Sequence, residues 1–110
     1  MASVDKINGL MQRNISEIIQ FELKDPKIGF VTITDVKVTS DLSYAKVFVS
    51  FLGKEERKQA GMKALERSKG FIRSSLAKKM SLRKMPELVF VQDDTLEKGN
   101  RIEEIIKQTK

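Results

Sequence analysis

A chain of 110 residues makes one domain, able to take roughly 60 to 70% of its unfolded surface out of water. With 40% hydrophobic and 33% charged residues it has the composition of a small folded domain, and disorder is not indicated. It contains no cysteine and no histidine, which excludes disulfides and thiolate metal sites and removes the usual general base near neutral pH, and its net charge of +6 points to an anionic partner.

Taken in chain order, Val4, Ile7, Met11, Ile15, Ile18 and Ile19 recur at helical spacing, so a first helix is expected over 4–23. Ser3 is its expected N-cap and Asp25-Pro26 its terminator. Phe30 to Thr39 reads as a strand whose apolar phase shifts from Val31 and Ile33 to Val36 and Val38. One extra residue near Thr34-Asp35 restores a single buried face, which predicts a bulge. Ser40 to Ser43 is a turn, and Tyr44 to Leu52 alternates with Ala45, Val47, Val49 and Phe51 on one face. These two strands form an antiparallel hairpin.

Lys54 to Arg67 is expected to be helical with Ala60, Ala64 and Leu65 inward and Gly61 as a weak point. After Gly70 the period resumes at Ile72, Leu76 and Met80 until Met85-Pro86, giving two helices joined at a bend. Pro86 to Val91 is a short strand, and 95–110 a C-terminal helical extension. The fold class is α+β, a single domain over 1–110 with helices on one face of a three-stranded sheet. The other face is left to solvent, carrying Phe48 or Thr32 and Thr34.

Eleven Lys and Arg fall between Lys54 and Lys84 against only three acids, so this segment carries +8 and the remainder −2. Lys63 and Arg67, like Lys69 and Arg73, sit four apart and stack like charge, a local cost that an anionic partner offsets. A solvated helix face is the plain alternative. A line of cations along a helix suits a phosphate backbone, and the scarcity of Trp and Tyr favours recognition of backbone and shape over reading of bases. Gly70 reads as a left-handed helix C-cap, as a point of close backbone approach, or as both. Asp93-Asp94 fits a turn or helix cap better than a cation site, and Ser74-Ser75 lacks a histidine partner, so no enzyme is expected. The start of the chain lacks a basic segment followed by an apolar run, and no apolar stretch is long enough for a membrane span, so a cytoplasmic protein is expected.

Several short motifs occur together in order: Asp25-Pro26-Lys27, Val31 to Val38, Ser40-Asp41-Leu42 and Ala45 to Ser50. They continue with Gly70-Phe71-Ile72-Arg73, Leu82-Arg83, Pro86 to Phe90, and Asp93 or Asp94 with Gly99 and Arg101-Ile102. As a set they resemble the ribosome-binding factor A family from about Val4 to Ile106. The resemblance implies a type II KH-like fold in which a helix bend replaces the Gly-x-x-Gly loop. It also implies an assembly factor that binds the free 30S subunit, assists late maturation of 16S rRNA including its 5′ end, and matters most in the cold. The family's Ala-x-Gly at the bend reads Ser68-Lys69-Gly70 here, and its Asp-Pro-Arg reads Asp-Pro-Lys.

The expected RNA-binding residues are Lys54, Arg57, Lys58, Lys63, Arg67, Ser68, Lys69, Gly70, Arg73, Lys78, Lys79, Arg83 and Lys84. No catalytic residue, metal or cofactor is expected. The expected partner is small-subunit rRNA and not a membrane, with the protein monomeric when free. A generic basic RNA-binding protein and a module for anionic membrane surfaces are the competing readings.

Overall fold

Apolar residues at three- and four-residue intervals give the N-terminal segment one stripe to bury. In the computed structural model, which describes residues 4–23, 28–82 and 84–93, this segment is α1 (Val4–Glu17), with Ile7, Met11 and Ile15 buried. It runs on into a π-type turn (Ile18–Glu22), closed by the Leu23 N–H donating to the Ile18 carbonyl at 2.9 Å. Ile18 and Ile19 are buried there while Phe21 is left 70% exposed. The helix thus finishes before Asp25-Pro26; that pair and Ser3 lie outside the described residues.

The hairpin consists of β1 (Val31–Val38) and β2 (Tyr44–Phe51), paired antiparallel with the register shifting between Ile33 and Asp35. The extra residue puts Ile33, Val36 and Val38 on one buried face, as the phase change requires. Asp41 builds the turn, accepting from the Thr39 hydroxyl at 2.8 Å and the Ser43 N–H at 3.0 Å. Leu42 takes φ 61°, a conformation costly for a side chain, while it packs against the core.

A covered sheet edge must satisfy its outward backbone groups. β1 is an edge strand, and α1 supplies its partners: the Asn8 side-chain Oδ1 accepts from the Val38 N–H at 2.8 Å, and the Gln12 side-chain amide donates to the Ile33 carbonyl at 3.1 Å. These two residues, four apart, fix α1 along β1.

From β2 the chain returns through α2 (Glu55–Arg67) and α3 (Lys69–Lys79) to β3 (Glu87–Gln92), which pairs parallel with β2. Parallel pairing needs such a crossover, and the two helices provide it. The strand order is β1-β2-β3, and the inward residues of all three strands share one core with Ala64, Leu65, Ile72 and Leu76. The helices therefore cover one sheet face, as the α+β reading expects.

Packing alters four details. Gly61, not Ala60, meets the sheet: Gly61 is buried and Ala60 half-buried. A β-carbon on Gly61 would come 2.3 Å from the ring of Phe51, so only glycine lets α2 lie this close. The break between α2 and α3 falls at Ser68 (φ −92°, ψ 1°), and Gly70 lies inside α3 without a positive φ, which removes its C-cap reading. α3 stops at Lys79 rather than at Met85-Pro86, because Met80 is extended (φ −121°, ψ 132°). Buried Met80, with Leu82 and Met85 packed on the core, cannot all be reached from one helical stripe. On the open face Thr32 is exposed, whereas Phe48 and Thr34 are half-buried. The expected helix over 95–110 lies outside the described residues.

Candidate nucleic-acid interface

The buried stripe of α2 is Lys58, Gly61, Ala64 and Leu65, which turns Lys63 and Arg67 outward. Lys58 is only 5% exposed, so it leaves the expected phosphate-contacting set. Its position three residues before Gly61 and seven before Leu65 is the signal that places it inward.

The other cations form three groups on the helix layer. At the start of α2, Lys54 and Arg57 are exposed, and the Arg57 side chain lies against the backbone of Gly29 and Gly53. Both glycines have positive φ (61° and 117°), and a β-carbon on Gly29 would collide with the guanidinium. At the end of α3, Lys78 is exposed, and Lys79 pairs with Glu22 of the π-type turn at 3.2 Å. Glu22 also accepts from the Ser75 hydroxyl at 2.6 Å, and these two contacts hold its carboxyl below the ordinary range. Lys79 is thus partly engaged in tying α3 to the π-type turn.

The third group surrounds the bend. Arg67, Ser68, Lys69 and Gly70 are consecutive across it, and Lys63 stands one turn before Arg67. The Ser68 side chain makes no capping bond. Lys69 pairs with Glu66 at 2.8 Å, and its ammonium lies 6.0 Å from the centre of the Phe90 ring. Arg73 donates to the carbonyls of Met85 at 2.9 Å and Pro86 at 3.2 Å, clamping α3 to the lead-in of β3. Beside it, Lys84 donates to the Ser43 hydroxyl at 3.2 Å. Arg83 lies outside the described residues.

Lys69, Gly70, Arg73 and Glu87 line a depression of about 340 Å³. Among the described residues nothing stands within 4 Å of where a Gly70 β-carbon would be, so the backbone there is open to a large partner. Glu87 is the member that the sequence reading missed; it comes from β3, and only folding brings it to the bend. A larger groove of about 550 Å³ between the end of α1 and the start of β1 is lined by Ile19, Leu23, Ile28 and Phe30 among others, with no cation in its described lining. Among the described residues no three acids come together as they would around a metal ion, and no helix is long and apolar enough to cross a membrane.

The fold and this surface define a small α+β domain in which a kinked, cationic helix pair overlies a mixed three-stranded sheet. A family model described as ribosome-binding factor A matches residues 3–106, and the chain belongs to that family. It is 46% identical over 104 residues to ribosome-binding factor A of Natranaerobius thermophilus, covering 94% of this chain and 79% of that protein. To the Staphylococcus carnosus protein of the same name it is 48% identical over 103 residues, covering 94% and 90%.

Among solved structures, the crystal structure of Thermus thermophilus ribosome-binding factor A matches with a TM-score of 0.74 at 26% identity, over 83% of this chain and 97% of that one. A homology model of the Thermus thermophilus factor, fitted into the cryo-EM map of a 30S–RbfA complex, matches with a TM-score of 0.63 at 28% identity, over 76% and 88%.

Proposed function

We propose that this chain binds the free 30S subunit through its helix layer and assists late maturation of 16S rRNA, including processing of the 5′ end. The observation that carries this reading is the bend: Lys69 and Arg73 line a depression with an unobstructed glycine backbone, and Lys63 and Arg67 are exposed on the α2 side of it. Membership of a family with a member fitted into a 30S complex supports the choice of polyanion.

Phosphates of folded rRNA meet the cations, Gly70 admits the RNA backbone closely, and the like charges on each helix lose their mutual repulsion. Lys54 and Arg57 at the start of α2, Lys78 and Lys79 at the end of α3, and Lys84 beside the bend extend the contact. No bond is made or broken by the protein; it acts by favouring one rRNA conformation over its competitors. Such a bias counts most in the cold, when RNA conformations exchange slowly. The protein works in the cytoplasm as a monomer.

Co-sedimentation with purified 30S subunits across a salt series tests this. With roughly six cations engaged, affinity falls about a thousandfold between 50 and 200 mM salt. Lys63→Gln with Lys69→Gln lowers the logarithmic salt slope by about two. A slope near zero, or equal affinity for anionic vesicles or unrelated duplexes, would contradict the reading.

A further inference from the structure

A sheet covered on one face by helices leaves the other to solvent, and here that face combines aromatic rings with exposed lysines. Side chains alternate along a strand, so Tyr44, Lys46 and Phe48 project from central strand β2 away from the buried Ala45, Val47 and Val49. Tyr44 is 50% exposed, Lys46 is exposed and Phe48 is half-buried. Lys37 of β1 stands directly across from Lys46, and its ammonium is 5.7 Å from the centre of the Phe48 ring.

Like charges directly opposed across two strands destabilise a sheet. Neither lysine has a carboxylate within ion-pair distance among the described residues. The acids nearby have hydrogen-bond or strand partners of their own: Asp35 accepts from the Val36 N–H, Asp93 accepts from the Thr34 hydroxyl, and Glu87 stands directly opposite Tyr44 on β3. A nucleotide satisfies this arrangement, its base stacking on an exposed ring and its phosphate meeting the lysine pair. A protein partner covering the face would have to desolvate both ammonium groups, which is costly without carboxylates of its own.

We propose that the open face of the sheet is a second RNA-binding surface, which takes an unpaired single-stranded segment with a base on Tyr44 and its phosphates at Lys37 and Lys46. The proposal shares the RNA partner of the preceding reading but uses the opposite side of the molecule. The domain thereby holds a folded RNA element on its helices and a loose strand on its sheet.

Tyr44 is the single tyrosine of the chain, so 3-fluorotyrosine incorporation gives one fluorine resonance reporting from this face. The labelled full chain is titrated with an unstructured 12-nucleotide RNA, with total binding followed in parallel by anisotropy of the RNA. A saturable shift is expected, retained in Lys63→Gln with Lys69→Gln and lost in Lys37→Gln with Lys46→Gln. Tyr44→Ala is expected to weaken binding of the oligonucleotide tenfold or so. An unmoved resonance at full RNA occupancy would overturn the proposal. So would an equal shift with inorganic polyphosphate, which has no bases, or a shift produced only by rRNA-free small-subunit proteins. Loss of the shift in the helix variant but not in the sheet variant would return the RNA to the helices. Failure of 30S binding with the oligonucleotide shift intact would instead sink the ribosomal reading and leave this one standing.

Discussion

Replacing Gly61 by alanine sets two effects of opposite sign against each other. In an exposed helix interior the change stabilises by about 1 kcal/mol, because alanine loses less backbone freedom on folding. In this structure the new β-carbon would lie 2.3 Å from one ring carbon of Phe51 and 2.7 and 2.8 Å from two others. Ordinary contact begins near 3.5 Å, so the ring or the helix must move by about 1 Å. Phe51 is only 3% exposed and has little room to turn. Overpacking of this kind costs typically about 1 to 3 kcal/mol, which exceeds the propensity gain.

The expected net is a loss of about 1 kcal/mol, or a fall in Tm of about 4 °C by calorimetry or circular dichroism. Gly9→Ala is the control: Gly9 lies exposed on α1 with nothing within 4 Å of its would-be β-carbon, so that variant should gain stability. Adding Phe51→Leu to Gly61→Ala should cost less than the sum of the single changes, a coupling a double-mutant cycle reads directly. A rise in Tm for Gly61→Ala equal to that of Gly9→Ala would refute the close seating of α2 on β2.

Two further outcomes follow from the site and one from the hairpin turn. Gly70→Ala adds a methyl group to open space, so stability should hold or rise by up to about 1 kcal/mol while 30S affinity drops; unchanged affinity in co-sedimentation would mean that RNA does not approach this backbone. Arg73→Lys keeps the charge but loses the fork that holds two carbonyls, so it should cost about 1 kcal/mol in denaturant melts and leave the salt slope of 30S binding in place, whereas Arg73→Ala lowers both. The Thr39 hydroxyl and the Ser43 N–H hold the Asp41 carboxyl at about 2, below its ordinary 3.8, so its contribution to the turn is complete above about pH 4 and is lost as pH falls towards 2; Asp41→Asn should flatten the fall in Tm over that range.

Much of the fold was legible because it follows from spacing. The phase shift from Val31 and Ile33 to Val36 and Val38 located the bulge, and the alternation through Ala45, Val47 and Val49 gave the buried face of β2. What spacing does not carry is distance between elements. Gly61 looked like a weak point of its helix, and only its approach to Phe51 shows it to be a contact. Gly70 drew the bend to itself by composition, yet Ser68 makes it, because a helix can break at any residue whose neighbours gain burial.

The roles of Asn8 and Gln12 have no local signal, since nothing in the sequence around them shows that β1 runs beside them with backbone groups to satisfy. The candidate site was legible as a charge excess but not as groups. Lys58 shares the stripe of Gly61 and Leu65 and turns inward, Lys79 is engaged by Glu22, and Arg73 is a clamp as well as a cation. Each of these divisions depends on a partner distant in sequence.

We propose that the bend between α2 and α3 faces ribosomal RNA. This is tested most directly by ultraviolet crosslinking of the purified protein to immature 30S subunits, with the crosslinked peptides identified by mass spectrometry. Crosslinks concentrated between Lys63 and Arg73 are predicted, weakening in step as salt is raised. Crosslinks confined to α1 or to the groove beside Phe30, with none at the bend, would contradict the account.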